Sequence, residues 1–281
     1  MKIVIITVCY NDILGLKKTL KSVQKYKSNV LKHIIIDGSS NDGTKDLLSN
    51  ESEKNKKIIY KSEPDNGIFD AMNKGMKILK QQNFKSKSYY IWFLNSGDIA
   101  DEFLFDNLIA NEKLLFFVSK QVSPFVPSYF SMRPLFKKNK NRFKDWIKYN
   151  SPVHQAVLFK SDIKDEIFYD TKFTNQADTK LIYELLKNHS YKFFDKVLCV
   201  FELGGNSGNY SKYKKVIDQL TEDLFIKNIL TKRSFFFIYS QVLIFHFKYF
   251  LSIILGDKNF HRLHLYILKI KYFFQSFFYS K

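Results

Sequence analysis

Cysteine is nearly absent: 281 residues provide only Cys9 and Cys199, and both fall inside apolar, strand-like runs. They read as buried thiols in a reducing cytosol, not as a disulfide or a catalytic nucleophile. No zinc-finger spacing occurs, and neither does the interleaved aromatic and basic strand motif of RNA-recognition domains. No GxGxxG turn follows the first apolar run, where Cys9-Tyr10-Asn11-Asp12 stands instead, which argues against a Rossmann oxidoreductase. The opening MKIVIITVCYND turns polar too early for a secretory signal, so a cytoplasmic location is expected. No internal repeat is apparent.

Acidic residues are also scarce, 27 against 45 Lys and Arg, for a formal net charge of +18. Such an excess suggests an anionic partner: a nucleotide, a phospholipid surface or nucleic acid. Ala, Gly and Arg are sparse beside Lys, Asn, Ile, Phe and Tyr, however, as A and T-rich coding would produce without selection for charge. Residues 207–281 hold 12 Lys and Arg against 4 Asp and Glu, a net +8, leaving +10 for residues 1–206. Basic character is spread along the chain and somewhat denser at its C-terminal end.

What is abundant is a repeated pattern of apolar run, polar turn and helix. Lys2–Val8 is a β-branched run ended by Cys9-Tyr10-Asn11-Asp12, and a helix follows with Ile13, Leu16, Leu20 and Val23 at helical spacing. His33–Asp37 repeats it, with Asp42-Gly43-Thr44 opening a helix. Lys57–Lys61 leads to SEPDNGIFDAMNKG (Ser62–Gly75), whose helix carries Met72, Met76 and Leu79 on one face. Tyr89–Leu94 ends in Asn95-Ser96-Gly97-Asp98. Four strands alternating with helices predict an α/β fold built on a mostly parallel central sheet with right-handed crossovers. Ligands in such sheets gather beyond the carboxyl ends of the strands, where Tyr10, Asp37, Asp65 and Asp98 all fall.

Residues 119–150 change character: Pro124, Pro127 and Pro134 break regular structure, and KKNKNRFK reads as a solvated basic loop. Order returns at Val153–Phe159, then a polar turn opens the helix of FTNQADTKLIYELLKNH, followed by Lys192–Phe201 and the loop Gly204-Gly205-Asn206-Ser207. Phe235–Leu255 is mostly apolar and long enough to cross a bilayer, but Ser234, Gln241, Lys248 and Ser252 draw a polar stripe along it. Aromatic faces with basic flanks suit a helix lying in the membrane interface. A helical hairpin packed on the catalytic domain, or a dimer contact, would use the same pattern.

The runs TVCYN (Thr7–Asn11), IIIDGSSNDGT (Ile34–Thr44), SEPDNGIFDAMNKG and FLNSGD (Phe93–Asp98), followed by HQAVLF, QADTKL and GGNS, closely resemble family 2 glycosyltransferases of the GT-A fold. The likeness is strongest to the bacterial branch that builds surface polysaccharides and lipooligosaccharides. It covers residues 2 to about 207. It implies a catalytic domain at 1–207, with a donor-binding half to about residue 100 and an acceptor half beyond it, then a helical extension at 208–281.

The resemblance implies an inverting transfer of a sugar from a nucleotide-sugar, with UDP favoured, to a glycan or lipid-linked acceptor. The other reading of the charge and the reduced acidic motif is a non-catalytic nucleotide-sugar or nucleic-acid-binding protein. By the resemblance, Asp37 accepts from the base imide, Thr7 and Tyr10 edge and stack the ring, and Asn11 and Gly38 flank it. Asp65 and Asn66 reach the base or ribose, while Asp70, Lys74, Asn95 and Ser96 lie toward sugar and phosphate. Asp98 would ligate Mg²⁺ or Mn²⁺, with His154 completing the shell or meeting phosphate. NSGD offers one carboxylate where many relatives show two or three. Asp178 occupies the position of the catalytic base, with helix capping as its simpler role, and Lys180 stands where relatives carry a second acid. Gly204, Gly205 and Ser207 would form a mobile closing loop. The implied location is the inner face of the cytoplasmic membrane, held peripherally by the C-terminal helices, with a homodimer also compatible.

Overall fold

The computed structural model describes residues 1–84, 86, 88–101, 105, 108–123, 130–134, 143, 147, 152–202 and 222, together with 243, 246–251, 253–256, 259–260, 262–263 and 266–267. The closing-loop residues Gly204, Gly205 and Ser207, the basic run KKNKNRFK apart from Phe143, and most of 208–281 lie outside the described residues.

The first hundred residues form the expected alternation. Strands β1 (Ile3–Cys9), β2 (Val30–Asp37), β3 (Ile58–Ser62) and β4 (Tyr90–Phe93) pair in parallel in the spatial order β3-β2-β1-β4. Helices α1 (Ile13–Val23), α2 (Thr44–Lys54) and α3 (Ile68–Lys80) connect them. Every residue of β1 is buried, because a central strand has both faces covered. Val4, Ile6 and Val8 pack with Phe69, Met72, Met76 and Leu79 of α3, whereas Ile3 and Ile5 face Tyr26 and Trp92. Each such aliphatic side chain contributes about 1.5–3 kcal/mol on burial.

Beyond β4 the sheet becomes mixed. It gains β5 (Ile99–Ala100), β6 (Leu114–Val122), β7 (Phe130–Arg133), β8 (Val157–Lys160) and β9 (Tyr191–Glu202), running β4-β8-β6-β9-β5 with β7 beside β6. β8 is antiparallel to both β4 and β6, and β9 runs parallel to β6. The mostly parallel expectation therefore describes the first hundred residues, and local patterning carried no information on strand direction beyond them. In the ordered stretch Val153–Phe159 a 3₁₀ turn at His154–Ala156 precedes β8. Helix α4 (Ala177–Asn188) buries Leu181, Ile182 and Leu185 against the same core cluster as α3. Both halves thus close over one cluster, with the polar strand ends above it.

Candidate functional site

The carboxyl ends of β1, β2 and β3 meet in a cradle. The ring of Tyr10 is 65% exposed. Gly38, directly after β2, is buried, and a Cβ on it would stand 2.7 Å from Asp65 Oδ2 and 3.1 Å from Tyr10 Cδ2. Only a residue without a side chain lets the aromatic ring and the carboxylate approach the same stretch of backbone. Asp65 is steadied by the Gly67 amide, which donates to its Oδ1 at 2.9 Å. Asn11 holds the neighbouring rim in a left-handed conformation (φ 48°): its Oδ1 accepts from the Asn41 amide and its own amide donates to Ser40 Oγ.

The loop before α3 is locked by its own charges. The amide of Asn66 donates to Asp70 Oδ2 at 2.9 Å, and Lys74 Nζ donates to the Pro64 carbonyl at 2.6 Å while lying near Glu63 and Asp70. Asp70 and Lys74 therefore fix the shape of this loop.

Two expected base contacts are turned inward. Thr7 is fully buried, and its hydroxyl donates to the Leu94 carbonyl at 2.6 Å and lies 2.8 Å from His33 Nε2. It cross-links three strands instead of edging a ring. Asp37 is also fully buried; Ser40 Oγ and Ser62 Oγ donate to it at 2.5 and 2.6 Å, as does the Ser40 amide. Its oxygens are occupied within the turn, and Asp65 is the carboxylate on the crevice wall. Cys9 donates its thiol toward Asp37, and burial together with that carboxylate pushes its pKa upward, as befits an inert thiol.

The turn after β4 is similarly inward-facing. Gly97 adopts φ 89°, a left-handed conformation that closes the NSGD turn. Asp98 is 5% exposed and accepts from the Asn95 amide at 3.1 Å and from the Gln155 side chain, and burial pushes its pKa up to about 8. Ser96 Oγ donates to Asp12 Oδ2 at 2.7 Å, so the N-cap carboxylate of α1 lies over this turn. Asn95 Oδ1 is buried without a hydrogen-bond partner, an acceptor held open at the turn.

His154 does not join Asp98. Its ring packs on Phe93, its Nε2 lies 2.7 Å from Tyr169 Oη, and burial lowers its pKa to about 3. Phe93 and Tyr169 belong to the core cluster under α3, whereas Asp98 lies beside Cys199 of the opposite cluster. Among the described residues no group of three or more His, Cys, Asp or Glu could hold a metal. The Asp98–His154 shell is thus corrected: each side chain is satisfied internally, on a different face of the sheet.

Asp178 sits in the first turn of α4, partly exposed, and accepts from the Thr179 amide at 2.7 Å. Burial, aided by the charge of Glu222, raises its pKa to about 6. The N-cap position belongs to Gln176, so Asp178 does not cap its helix. Lys180 is paired with Asp170 and Glu184. Tyr169 joins the two halves: Phe69 stacks on its ring, Asn73 of α3 bonds both its backbone N–H and C=O, and the charge of Asp178 acts on its hydroxyl. Sequence reasoning passed over Tyr169, Asn73 and Glu222, because nothing local marks a contact spanning 96 or 46 residues.

The family model of glycosyl transferase family 2 matches residues 4–165, more than half of the chain. The chain belongs to that family. An uncharacterised glycosyltransferase of Mycobacterium tuberculosis, present in strains H37Rv and CDC 1551, is 38% identical over 97 residues. That match covers 34% of this chain and 33% of the relative, so the similarity spans about a third of either protein. Among solved structures, S. aureus TarS 1–349 in complex with UDP superposes with a TM-score of 0.54 at 15% identity, covering 80% of this chain and 66% of that fragment. The Pyrobaculum calidifontis mannosyltransferase PcManGT, in complex with GDP-Man and Mn²⁺, gives 0.52 at 12% identity and covers 87% and 70%. At such identities the likeness establishes the GT-A fold. The family match ends at residue 165, before Asp178 and α4.

Proposed function

We propose that the chain is an inverting glycosyltransferase that moves a sugar from a nucleotide-sugar donor, a UDP-sugar first among candidates, onto a glycan or lipid-linked acceptor. The observation that carries this reading is the junction at Tyr169, which ties donor helix α3 to the turn of α4 bearing Asp178. The exposed Tyr10 ring, the bare backbone at Gly38 and the Asp65 carboxylate form a slot suited to a planar base with hydrogen-bond donors. Asp178, with its pKa near 6, is ionised at neutral pH yet basic enough to accept a hydroxyl proton as that oxygen attacks the anomeric carbon. UDP in TarS and GDP-Man with Mn²⁺ in PcManGT support a nucleotide-sugar and a divalent cation in this fold. The described residues do not build a cation shell of their own; Mg²⁺ or Mn²⁺ would be carried chiefly by the donor diphosphate and water, as hard cations commonly are.

Exposed Leu243, Phe247, Phe250 and Ile254 recur at helical spacing in the basic C-terminal segment, and we assign this face to the anionic inner surface of the cytoplasmic membrane. Among the described residues no helix is long and apolar enough to cross a bilayer. An acceptor anchored in that surface, of the kind used for surface polysaccharide or lipooligosaccharide, fits this placement.

The test is turnover of a panel of UDP-, GDP- and dTDP-sugars with and without Mn²⁺. One donor should be consumed, and Asp178→Asn should lower turnover by about 10²–10⁴-fold while donor affinity is retained. No turnover with any donor, or wild-type turnover in Asp178→Asn, would sink the assignment.

A further inference from the structure

The loop that leads into the helix of the candidate base is held from far away. Gln176, at the N-cap, places no side chain on the amides of the first turn of α4. Glu222 binds the residues just before that turn. Its Oε1 accepts from the Thr174 amide at 2.5 Å and the Thr174 hydroxyl at 2.9 Å, and its Oε2 accepts from the amides of Asn175 and Gln176 at 2.8 and 3.0 Å. Three successive backbone amides thus converge on one carboxylate, an arrangement that holds an anion firmly. Thr174 and Asn175 are themselves common capping residues, yet their side chains do not cap this helix.

We propose that Glu222, contributed from beyond the catalytic sheet, is a positioning residue for Asp178: it fixes the turn from which the base projects and supplies the negative charge that the base faces. This rests on the reading of Asp178 as the base. The groups facing Asp178 are Glu222, the Tyr169 hydroxyl from the connection before α4, and the amide and hydroxyl of Thr179. Behind Tyr169 stands neutral His154, and Lys180 is engaged by Asp170 and Glu184. A like charge nearby disfavours ionisation of Asp178 and so strengthens it as a base. Catalysis then depends on Glu222 reaching this loop, and a chain that lacks the contact would bind donor without a correctly set base.

The test uses the full chain with Glu222→Gln, which removes the charge, Glu222→Asp, which keeps it on a shorter arm, and Glu222→Ala. The Asp178 carboxyl is titrated directly by carbon-13 NMR, its signal assigned by loss in Asp178→Asn, and kcat/KM is followed from pH 4.5 to 8.5. In Glu222→Gln the Asp178 titration and the acidic limb of kcat/KM should both move to lower pH, by about a few tenths of a unit. Glu222→Asp should restore the titration, and Glu222→Ala should lower kcat by roughly tenfold or more with the affinity for UDP within about twofold. An unmoved titration in Glu222→Gln, or a kcat in Glu222→Ala equal to wild type, overturns the proposal. Should Asp178→Asn retain full turnover, the base assignment itself falls. The NMR titration, which needs no turnover, separates that failure from a failure of the Glu222 contact.

Discussion

Replacing Thr7 with valine separates a structural from a substrate-binding role at a residue whose sequence context points to the donor. The two side chains have the same shape, so packing at this fully buried position is kept and only the hydroxyl is lost. That hydroxyl serves two partners, the Leu94 carbonyl at 2.6 Å and His33 Nε2 at 2.8 Å. Both are left buried. His33 is neutral, because burial lowers its pKa to about 4, so the loss concerns hydrogen bonds and not a charge pair. Each orphaned buried group costs about 1–3 kcal/mol, and the added methyl recovers up to about 1 kcal/mol. The net expectation is a loss of about 1–6 kcal/mol in urea unfolding at pH 7.5, with UDP affinity by calorimetry unchanged within about twofold. A tenfold loss of UDP affinity at unchanged stability would refute the reasoning and return Thr7 to the base edge.

Asp98→Asn tests the inward carboxyl after β4. Its folded pKa of about 8 lies above the ordinary 3.8, so the folded state holds a proton that the unfolded chain releases. Stability from this group is complete below about pH 4 and is lost as pH rises toward 8, by up to several kcal/mol at about 1.4 kcal/mol per unit. The asparagine variant should therefore gain on wild type between pH 4.5 and 8 in urea titrations; a gap that stays constant or narrows with rising pH rejects the buried-carboxyl account. Phe247→Ser with Phe250→Ser should abolish sedimentation with vesicles containing phosphatidylglycerol while leaving UDP binding intact. Undiminished sedimentation would remove the membrane assignment, and loss of a dimer in its place would give that face to a second copy.

The donor half was legible because its strands are central and its helices amphipathic. Ile3–Cys9 and Ile34–Ile36 are buried on both faces and read as continuous apolar runs, and the apolar positions of α3 recur at helical spacing. β6, in NEKLLFFVSKQV, escaped notice although it pairs with β7, β8 and β9. Direction and partner in a mixed sheet depend on residues forty to eighty positions away, and periodicity within one strand does not encode them. Strand order placed Tyr10, Asp37, Asp65 and Asp98 at one crevice; Tyr10 and Asp65 do meet at Gly38, whereas Asp37 and Asp98 are buried.

What the motifs could not show is which polar side chains look out. Thr7, Asp37, Asp98 and His154 stand beside exposed site residues in sequence, yet each is answered from inside: by Leu94 and His33, by Ser40 and Ser62, by Asn95 and Gln155, and by Tyr169. A buried polar group is tolerated only with such partners, so these four hold the strand ends in fixed relation. Tyr10 and Asp65 stay accessible at the strand ends, Asn95 keeps an unfilled acceptor, and Asp178 is partly exposed in the first turn of α4. Rigid placement of outward groups by satisfied inward ones is what positioning a donor against a base requires, since displacing a reacting group by about 1 Å can cost 10²-fold in rate. A substitution at an inward residue should thus act first on stability and only through it on turnover, which is why Thr7→Val distinguishes the two classes.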